Sequence, residues 1–328
     1  MADDVRWGIL GTAHIAESSF LPGLREAGGG RPVAVASRRR EAAEAFASAY
    51  GVERAAEGYE ALLADPEVDA VYVPLPNSSH RTWAEAALRA GKAVFCEKPL
   101  CGTVEDTEAL LATARDTGGL LWEAFVFPFH EQMERVERLL ADGAIGDLRE
   151  IQSSFHFLLQ NPGNIRMSAE LQGGSLQDVG CYPIRLARLL FGDEPTGGWA
   201  TGVFGETGVD EEMAGVLTFP GDRRLLLSCG FRRAYDCFTR LQGTEGQIHM
   251  TNPCHPGPGD TTEVLRDGER ASRPAAADEH SFTAALRHVN AAIRGEEAPR
   301  HLAADEALGN AVAIELLLAS ARGGVARA

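Results

Sequence analysis

Two short stretches of the chain combine residue types that could move a proton. In the first, Glu97, Lys98 and Pro99 directly follow an apolar run at Ala93–Cys96, which is typical of a buried strand. In open α/β sheets the carboxyl ends of the strands form the ligand crevice, so a lysine there could lie beside a bound substrate. The alternative is a strand that simply runs out into a solvated, charged turn. The stretch by itself favours neither interpretation.

The second stretch lies in a helix that the sequence predicts over residues 175–191. Asp178 and Tyr182 are four positions apart and therefore share one face of that helix. Pro183 has no N–H to donate, and Gly180 lowers helix stability, so the helix is weak where it carries this pair. A weak point of this kind indicates a packing or functional reason. The alternative is that Tyr182 is a core residue with a polar tip and Asp178 a solvated acid.

A dinucleotide could be held near the start of the chain. A predicted strand at Val5–Leu10 is followed by Gly-Thr-Ala-His-Ile-Ala, a variant of the glycine-rich dinucleotide turn. The glycine permits a tight turn, and the small third residue lets the backbone approach a pyrophosphate. The predicted cofactor contacts in this turn are Gly11, Thr12, Ala13, His14 and Ile15. For His14, the alternative is a solvent-facing helix residue.

The second predicted strand, over residues 31–37, ends in Ser37 and Arg38. NAD-binding folds usually carry an acid near this position to bond the adenosine ribose. A hydroxyl and a guanidinium suit a 2′-phosphate better, so the sequence predicts NADP(H) rather than NAD(H). The alternative is that the arginines only decorate the start of a helix.

The third predicted strand, over residues 68–74, leads into a loop broken by two prolines. This loop would lie along the same carboxyl edge as the glycine turn. The remaining predicted cofactor contacts are Pro74, Leu75, Asn77, His80, Glu97 and Lys98. For His80, a capping or packing role is an equal alternative, and His130 is expected to support the pocket rather than take part in chemistry.

Strands and helices alternate through the first part of the chain, which indicates an α/β Rossmann domain. After Phe125 the pattern changes to strands with alternating apolar and polar residues, and Gly221-Asp222 predicts a hairpin turn between two of them. The second part is therefore predicted to be an α+β domain with a large, open, mostly antiparallel sheet. We place the domains at residues 1–122 and 123–328.

The overall composition limits the possible partners. A net charge of −16 argues against nucleic acid or an anionic membrane as the main partner, and no apolar run is long enough to span a membrane. The six cysteines show no metal-type spacing and suggest reduced thiols of a cytoplasmic protein. No cluster of residues suggests a metal site, and we expect no metal.

Taken together, these stretches resemble the Gfo/Idh/MocA family of nicotinamide-dependent oxidoreductases. The stretches that match the family occur in its order along almost the whole chain: WGILGTAHIA, VASR, VDAVYVPLPNSSH, GKAVFCEKPL, WEAFVFPFH, GAIGDL, GNIR, GGSLQDVGCYPI and LQGTEGQIHM. The resemblance implies a Rossmann domain followed by an α+β domain whose open sheet is often a subunit interface. It thereby implies a homodimer or homotetramer formed through the C-terminal sheet.

The resemblance also implies roles for individual residues. Lys98 corresponds to the active-site lysine of the family's Glu-Lys-Pro motif, in which the lysine–proline peptide bond is often cis. Asp178 matches a substrate-side acid, Tyr182 stands where members have a histidine or tyrosine proton donor, and Arg166 is a plausible substrate contact. One departure is Pro128, where many relatives have arginine.

The implied reaction is reversible hydride transfer between C4 of the nicotinamide and a carbinol or keto carbon of a sugar or nucleotide sugar. A nearby Lys98 ammonium would lower the pKa of the Tyr182 phenol and so help it exchange a proton with the substrate oxygen. Which of Lys98 and Tyr182 is the immediate donor stays open. An activity of the D-xylose or trans-dihydrodiol dehydrogenase type is an alternative, and a non-catalytic dinucleotide-binding regulator is another.

Overall fold

The computed structural model of the protein describes residues 4–267, 269–270, 275–276 and 278–323. It forms two compact units. Unit 1 comprises Met1–Val126 with Ser281–Leu308, and unit 2 comprises Phe127–His280 with Gly309–Ala328. The division at residue 122 stays a prediction about domains, but it differs from these units because it assigns Ser281–Leu308 to the C-terminal part.

The strands and helices are numbered in chain order. The strands are β1 (Val5–Leu10), β2 (Gly30–Ala36), β3 (Arg54–Ala55), β4 (Ala70–Val73), β5 (Ala93–Cys96), β6 (Leu121–Glu123), β7 (Leu148–Leu158), β8 (Gly197–Phe204), β9 (Asp210–Phe219), β10 (Arg223–Gly230), β11 (Arg232–Gly243), β12 (Gln247–Thr251), β13 (Thr261–Arg266), β14 (Glu269–Arg270) and β15 (Ala275–Ala276). The α-helices are α1 (Leu21–Ala27), α2 (Arg40–Tyr50), α3 (Tyr59–Ala64), α4 (Asn77–Arg89), α5 (Val104–Thr117), α6 (Glu131–Ala141), α7 (Cys181–Phe191), α8 (Ser281–Ile293) and α9 (Ala303–Gly323). Turns of π-helix at Ala16–Phe20 and Leu176–Gly180 directly precede α1 and α7.

The sheet of unit 1 is parallel, with the strand order β3-β2-β1-β4-β5-β6. Strands β4 and β5 are almost wholly buried, as expected of strands covered on both faces. The order reverses between β1 and β4, and that is where open α/β sheets bind their ligands. The predicted Rossmann domain is therefore confirmed, with the switch point directly beside the glycine turn.

Helix α8 belongs to unit 1 because it packs against α1 and β1, far away along the chain. A Cβ added to Gly23 would lie 2.8 Å from Cβ of Phe282. The indole Nε1 of Trp7 donates a hydrogen bond to Oδ1 of Asn290 at 2.9 Å, and both side chains are buried. The C-terminal part of the chain thus helps to build the core of the N-terminal unit.

Unit 2 is built on a nine-stranded sheet with the order β14-β13-β12-β11-β7-β10-β9-β8 and with β15 paired to β13. In the described residues β7 and β10 are the one parallel pair, and the other pairs are antiparallel. The predicted hairpin joins β9 to β10. Phe219 pairs with Arg223, so the loop has three residues, Pro220, Gly221 and Asp222, and φ is positive at both Gly221 and Asp222. Helix α7 packs on β7 and β10. No described helix has the length and apolar character needed to cross a membrane.

Candidate active site

The glycine turn of unit 1 is built for close backbone approach. Gly11 has a φ of +102°, a backbone conformation that residues other than glycine rarely adopt. Its N–H donates to the carbonyl of Ala36 at the end of β2 (2.7 Å), and an added Cβ would lie 3.1 Å from Cδ2 of Leu75. Three loops at the carboxyl edge of the sheet therefore meet at Gly11, and a side chain there would fill the space that a dinucleotide pyrophosphate occupies in such folds.

The residues after Gly11 divide into two groups. Thr12, Ala13 and Ile15 are half-buried. The His14 side chain is 84% exposed, and its Nδ1 lies 2.5 Å from Oε1 of Glu17. For His14 the structure supports the alternative of a solvent-facing helix residue.

A cation lies near this turn. Arg38 is exposed beyond the end of β2, and its positive charge reaches Tyr59. Burial raises the pKa of the Tyr59 phenol, and the Arg38 charge partly opposes that rise. The Tyr59 hydroxyl would lie 4.0 Å from a Cβ on Gly11. Arg40 pairs with Glu44 and Glu57.

In the described part of the chain, neither Arg38 nor its neighbour Arg39 takes part in an ion pair. The half-buried Ser37 and the arginine after it therefore present a hydroxyl and an uncompensated cation, which fits a 2′-phosphate. Sequence reasoning missed Tyr59, because an aromatic residue at the start of a helix is usually a core residue.

The Lys98 segment directly follows β5, and its Lys98–Pro99 peptide bond is cis, as the resemblance implied. The Tyr72 hydroxyl donates to Oε1 of Glu97 at 2.5 Å, and the Lys98 N–H donates to Oε2 of the same carboxylate at 3.3 Å. Burial and the Glu97 charge raise the pKa of Tyr72 well above its ordinary value, so the phenol keeps its proton. Glu97 is therefore a fixed acceptor rather than a solvated acid in a turn.

Two further buried side chains hold the same segment. His80 has Nδ1 3.0 Å from the Pro99 carbonyl and Nε2 2.7 Å from the Leu75 carbonyl. Burial lowers the pKa of His80, and these hydrogen bonds oppose that change. Oε1 of Glu123 accepts the Leu100 N–H at 2.7 Å. The structure thus supports the packing role of His80, and it adds Glu123, for which the signal was an acid at the end of an apolar strand.

Asp178 in unit 2 pairs with Arg166. Nε of Arg166 lies 2.6 Å from Oδ2 of Asp178, whose side chain is 14% exposed. Asn164 accepts the Arg166 N–H at 3.0 Å and so fixes the short turn that carries the arginine. Asp178 is therefore not a solvated acid, and the structure brings these two predicted substrate residues into direct contact.

Tyr182 is buried, and its hydroxyl lies 2.8 Å from Nε2 of His255. The two rings meet edge to face with 5.0 Å between centroids, and the ring of Phe155 on β7 lies 5.7 Å from that of Tyr182. Sequence reasoning missed His255, because a histidine in a proline-rich loop 73 residues away gives no periodic signal.

The start of the Tyr182 helix is anchored by Asp210. Its buried Oδ2 accepts the Ser175 hydroxyl at 2.7 Å and the Leu176 N–H at 2.6 Å. Burial raises the pKa of the Asp210 carboxyl, and these hydrogen bonds oppose that rise. The predicted weak point of the helix is the π-helical stretch Leu176–Gly180. An added Cβ on Gly180 would lie 2.8 Å from Sγ of Cys229, so this glycine has a packing reason.

The aromatic stretch after unit 1 is structural. His130 accepts the Gln132 N–H on Nδ1 at 3.1 Å and so caps α6, while its Nε2 lies 2.8 Å from the Glu279 carbonyl. Pro128 is buried in a 3₁₀ turn. No group of three or more His, Cys, Asp or Glu residues that could hold a metal ion comes together within the described residues.

The fold and these residues define the class of a nicotinamide-dependent oxidoreductase, and comparison with known proteins gives the family. A model of the oxidoreductase family with an NAD-binding Rossmann fold matches residues 5–125, and a model of the GFO/IDH/MocA C-terminal domain matches residues 133–249. The chain belongs to the Gfo/Idh/MocA family of oxidoreductases. The fold class predicted from the sequence is likewise confirmed.

Three relatives illustrate the similarity. A dTDP-3,4-didehydro-2,6-dideoxy-alpha-D-glucose 3-reductase from Streptomyces violaceoruber is 41% identical over 80% of this chain and 77% of its own length. A D-xylose 1-dehydrogenase (NADP(+)) from Haloferax volcanii is 38% identical over 75% of each chain. The solved structure of KijD10, a 3-ketoreductase from Actinomadura kijaniata in complex with NADP and TDP-benzene, is 33% identical, with a TM-score of 0.88 over 97% of this chain and 98% of its own.

Proposed function

We propose that this oxidoreductase uses NADP(H) to transfer a hydride to or from a carbinol or keto carbon of a sugar or nucleotide sugar. One observation carries the proposal: Lys98 is the second residue after β5, at the carboxyl edge of the Rossmann sheet. There Tyr72, His80 and Glu123 fix its neighbours by hydrogen bonds. A lysine on an unimportant turn would not need three buried side chains to define its backbone.

The cofactor would be held by unit 1. Backbone atoms of the turn from Gly11 to Ile15 suit a pyrophosphate, because the glycine permits close approach at the start of a helical segment. Ser37 and Arg38 suit the 2′-phosphate. The residues proposed for the nicotinamide side are Pro74, Leu75, Asn77, Glu97 and Lys98. The bound nicotinamide supplies or accepts the hydride.

The proton would be handled by the protein. Tyr182 would give a proton to the substrate oxygen during reduction and take it back during oxidation. Lys98 would favour the phenolate form through its positive charge, or would itself be the immediate donor. Either way the protein must keep one proton within hydrogen-bond reach of the reacting oxygen.

The substrate class follows from the chemistry of the Arg166–Asp178 pair together with the relatives. Because the guanidinium is compensated by the carboxylate at 2.6 Å, the pair offers donors and acceptors to hydroxyl groups rather than a net charge to an anion. Similar proteins are named for a deoxysugar nucleotide and for D-xylose. We favour a sugar or nucleotide sugar, and a D-xylose or trans-dihydrodiol dehydrogenase activity is the second candidate.

Two further features of the protein are proposed. Trp199 and Val203 of β8 and Phe238 of β11 are exposed on one face of the second sheet, which supports a homodimer or homotetramer formed through that sheet. All six cysteines are buried, and none of them forms a disulfide bond within the described residues, which supports a reducing, cytoplasmic setting. The assembly is testable by light scattering of the purified protein, with Trp199→Glu expected to shift it towards monomer.

The test of function has two steps. Thermal denaturation with NADPH or NADH measures cofactor preference, and we expect the larger stabilisation from NADPH. Free aldoses, sugar nucleotides and a dihydrodiol are then screened by the change in nicotinamide absorbance. Stabilisation by NADH alone would contradict the assignment of Ser37 and Arg38. Absence of turnover with every sugar would contradict the substrate class.

A further inference from the structure

We propose that His255 is a proton relay that acts on the reaction through Tyr182, an inference that rests on the proposed role of Tyr182. His255 would return a proton to the phenolate after each reduction and accept one before each oxidation. His255 would not touch the substrate itself. It would hold the Tyr182 hydroxyl in place and exchange a proton with it.

The geometry of the pair suits this role. The Tyr182 hydroxyl and Nε2 of His255 are 2.8 Å apart, a normal hydrogen-bond distance. Tyr182 is 1% exposed, whereas His255 is half-buried. A buried phenol that exchanges protons needs a group that leads towards water, and the imidazole is such a group at direct contact distance.

The loop that carries His255 is ordered by its own polar groups. Nδ2 of Asn252 donates to the His255 carbonyl at 2.7 Å and to Oδ2 of Asp260 at 3.1 Å, and the Gly257 N–H donates to the same Oδ2 at 2.9 Å. Oδ1 of Asn252 accepts the Tyr235 hydroxyl at 2.7 Å. The backbone of residues 252–260 is therefore fixed, and with it the place of the imidazole.

Aromatic contacts fix the ring plane. The His255 ring meets Tyr182 at a 65° interplanar angle and Phe155 at 74°. The ionisable groups around this loop are Tyr235, Cys237, Cys254, Asp260 and His280, whose Nδ1 would lie 3.1 Å from a Cβ added to Gly257. Histidine is the residue whose ordinary pKa allows gain and loss of a proton near neutral pH, and His255 is the histidine whose ring nitrogen meets the Tyr182 hydroxyl.

The proposed step balances. In reduction, the substrate carbonyl carbon gains a hydride from the reduced nicotinamide, which is thereby oxidised. The carbonyl oxygen takes the phenolic proton of Tyr182, and the O–H bond of Tyr182 breaks. The phenolate then takes a proton from Nε2 of the protonated His255 ring, and the neutral imidazole that remains takes up a proton from solvent. Oxidation of the alcohol runs the same transfers in reverse.

The kinetic test compares two variants with a matched control. His255→Gln can still donate a hydrogen bond to Tyr182 but cannot titrate, whereas His255→Ala leaves space for added imidazole. We expect kcat to fall about 10- to 100-fold in both, with KM for NADPH unchanged. His255→Gln should lose one ionisation near neutral pH from its kcat profile, and imidazole in the buffer should restore part of the rate of His255→Ala. The control, His249→Gln on β12, should behave as wild type.

Several outcomes would overturn the relay. If Tyr182→Phe is inactive but both His255 variants match the control, the relay is wrong and the proposed function stands. A lowered rate with an unchanged pH profile and no imidazole rescue would show a structural role only. Wild-type turnover in Tyr182→Phe would contradict the proposed function of that residue and the relay together.

An NMR titration tests the coupling of His255 and Tyr182 without turnover. It requires neither a substrate nor the alanine variant. The Cε1 proton of His255, assigned by its absence in His255→Gln, is titrated by NMR in wild type and in Tyr182→Phe. We expect the midpoint to shift when the phenol is removed, because the two groups share a hydrogen bond. Identical titration curves would contradict the coupling on which the relay depends.

Discussion

The Lys98 segment of unit 1 and the Tyr182 helix of unit 2 are both fixed by hydrogen bonds, but their anchors come from different distances along the chain. Glu97 and Leu100 are held by partners 25 and 23 residues away, on the neighbouring strands β4 and β6. The Tyr182 hydroxyl meets a partner 73 residues away, and the start of its helix meets one 35 residues away. The Lys98 segment is therefore fixed by the strands next to β5, whereas the Tyr182 helix is fixed by residues from distant parts of the second sheet.

Units 1 and 2 also have one structural feature in common. The helical segment after the glycine turn and the helix that carries Tyr182 both begin with π-helical turns, at Ala16–Phe20 and Leu176–Gly180. Such turns are rare and occur frequently at functional sites. The comparison suggests a division of labour in which substitutions at the glycine turn and at Ser37 and Arg38 change cofactor binding, whereas substitutions in unit 2 change substrate binding and proton transfer.

The largest effect is expected at the long-range anchor of unit 2. Gly174 has a φ of +118°, and an added Cβ would lie 2.3 Å from Oδ1 of Asp210. Gly174→Ala should lower the free energy of unfolding by about 3 kcal/mol, because backbone strain at positive φ and the close contact with a buried carboxylate both destabilise the folded protein. Urea denaturation measures this. Gly192→Ala, at the other end of α7 with open space around it, is the control and should cost about 1 kcal/mol. Equal losses in the two variants would show that Asp210 does not fix the helix.

Removing the cation of the Arg166–Asp178 pair should destabilise the protein less than Gly174→Ala does. Arg166→Met removes the guanidinium that pairs with the Asp178 carboxylate, which is 14% exposed. We expect a loss of about 2 kcal/mol in stability and a KM for the sugar raised about tenfold, with KM for NADPH unchanged. Steady-state kinetics and thermal denaturation check both, with Arg149→Met as the exposed control. A change in KM for NADPH instead would break the division of labour.

The corresponding substitution in unit 1 should affect the cofactor alone. Arg38→Ala removes the cation beside Tyr59 and should raise KM for NADPH about tenfold, roughly 1.4 kcal/mol, with KM for NADH and for the sugar unchanged. Arg39→Ala, the neighbouring exposed arginine, is the matched control. If KM rises equally for NADPH and NADH, the assignment of Arg38 to the 2′-phosphate is wrong.

The smallest predicted effect depends on pH. Because burial raises the pKa of Asp210 in the folded protein, its protonated form is favoured by folding. Its contribution to stability is therefore present below the unfolded value near pH 4 and is lost as pH rises through the folded value. Asp210→Asn mimics the protonated acid, so its stability relative to wild type should improve by on the order of 1 kcal/mol from pH 4 to pH 7. A constant difference in denaturation midpoints over that range would contradict this.

Much of unit 1 could be predicted from the sequence, because its signals are local. β1 and β5 have the predicted bounds, and β2 differs from its prediction by one residue at each end. Parallel strands buried on both faces appear as apolar runs, and the glycine turn marks the switch point beside them. The two-residue strand β3 was missed because it is too short to show a pattern.

The missed residues have one physical feature in common. Tyr59, Glu123, Asp210 and His255 act through contacts with residues distant in the sequence, and periodicity carries no information about such contacts. The same holds for α8, which joins unit 1 through Phe282 and Asn290. The local sequence pattern and the family resemblance pointed to Lys98 and Tyr182 but not to the side chains that hold them.

The most direct test of the central claim is single-turnover hydride transfer in Lys98→Ala and Tyr182→Phe, followed by nicotinamide absorbance with NADPH bound and a keto-sugar substrate in excess. We predict that each variant loses at least about 100-fold in rate while NADPH still raises its denaturation temperature as in wild type. Near-wild-type rates in both variants would contradict the account.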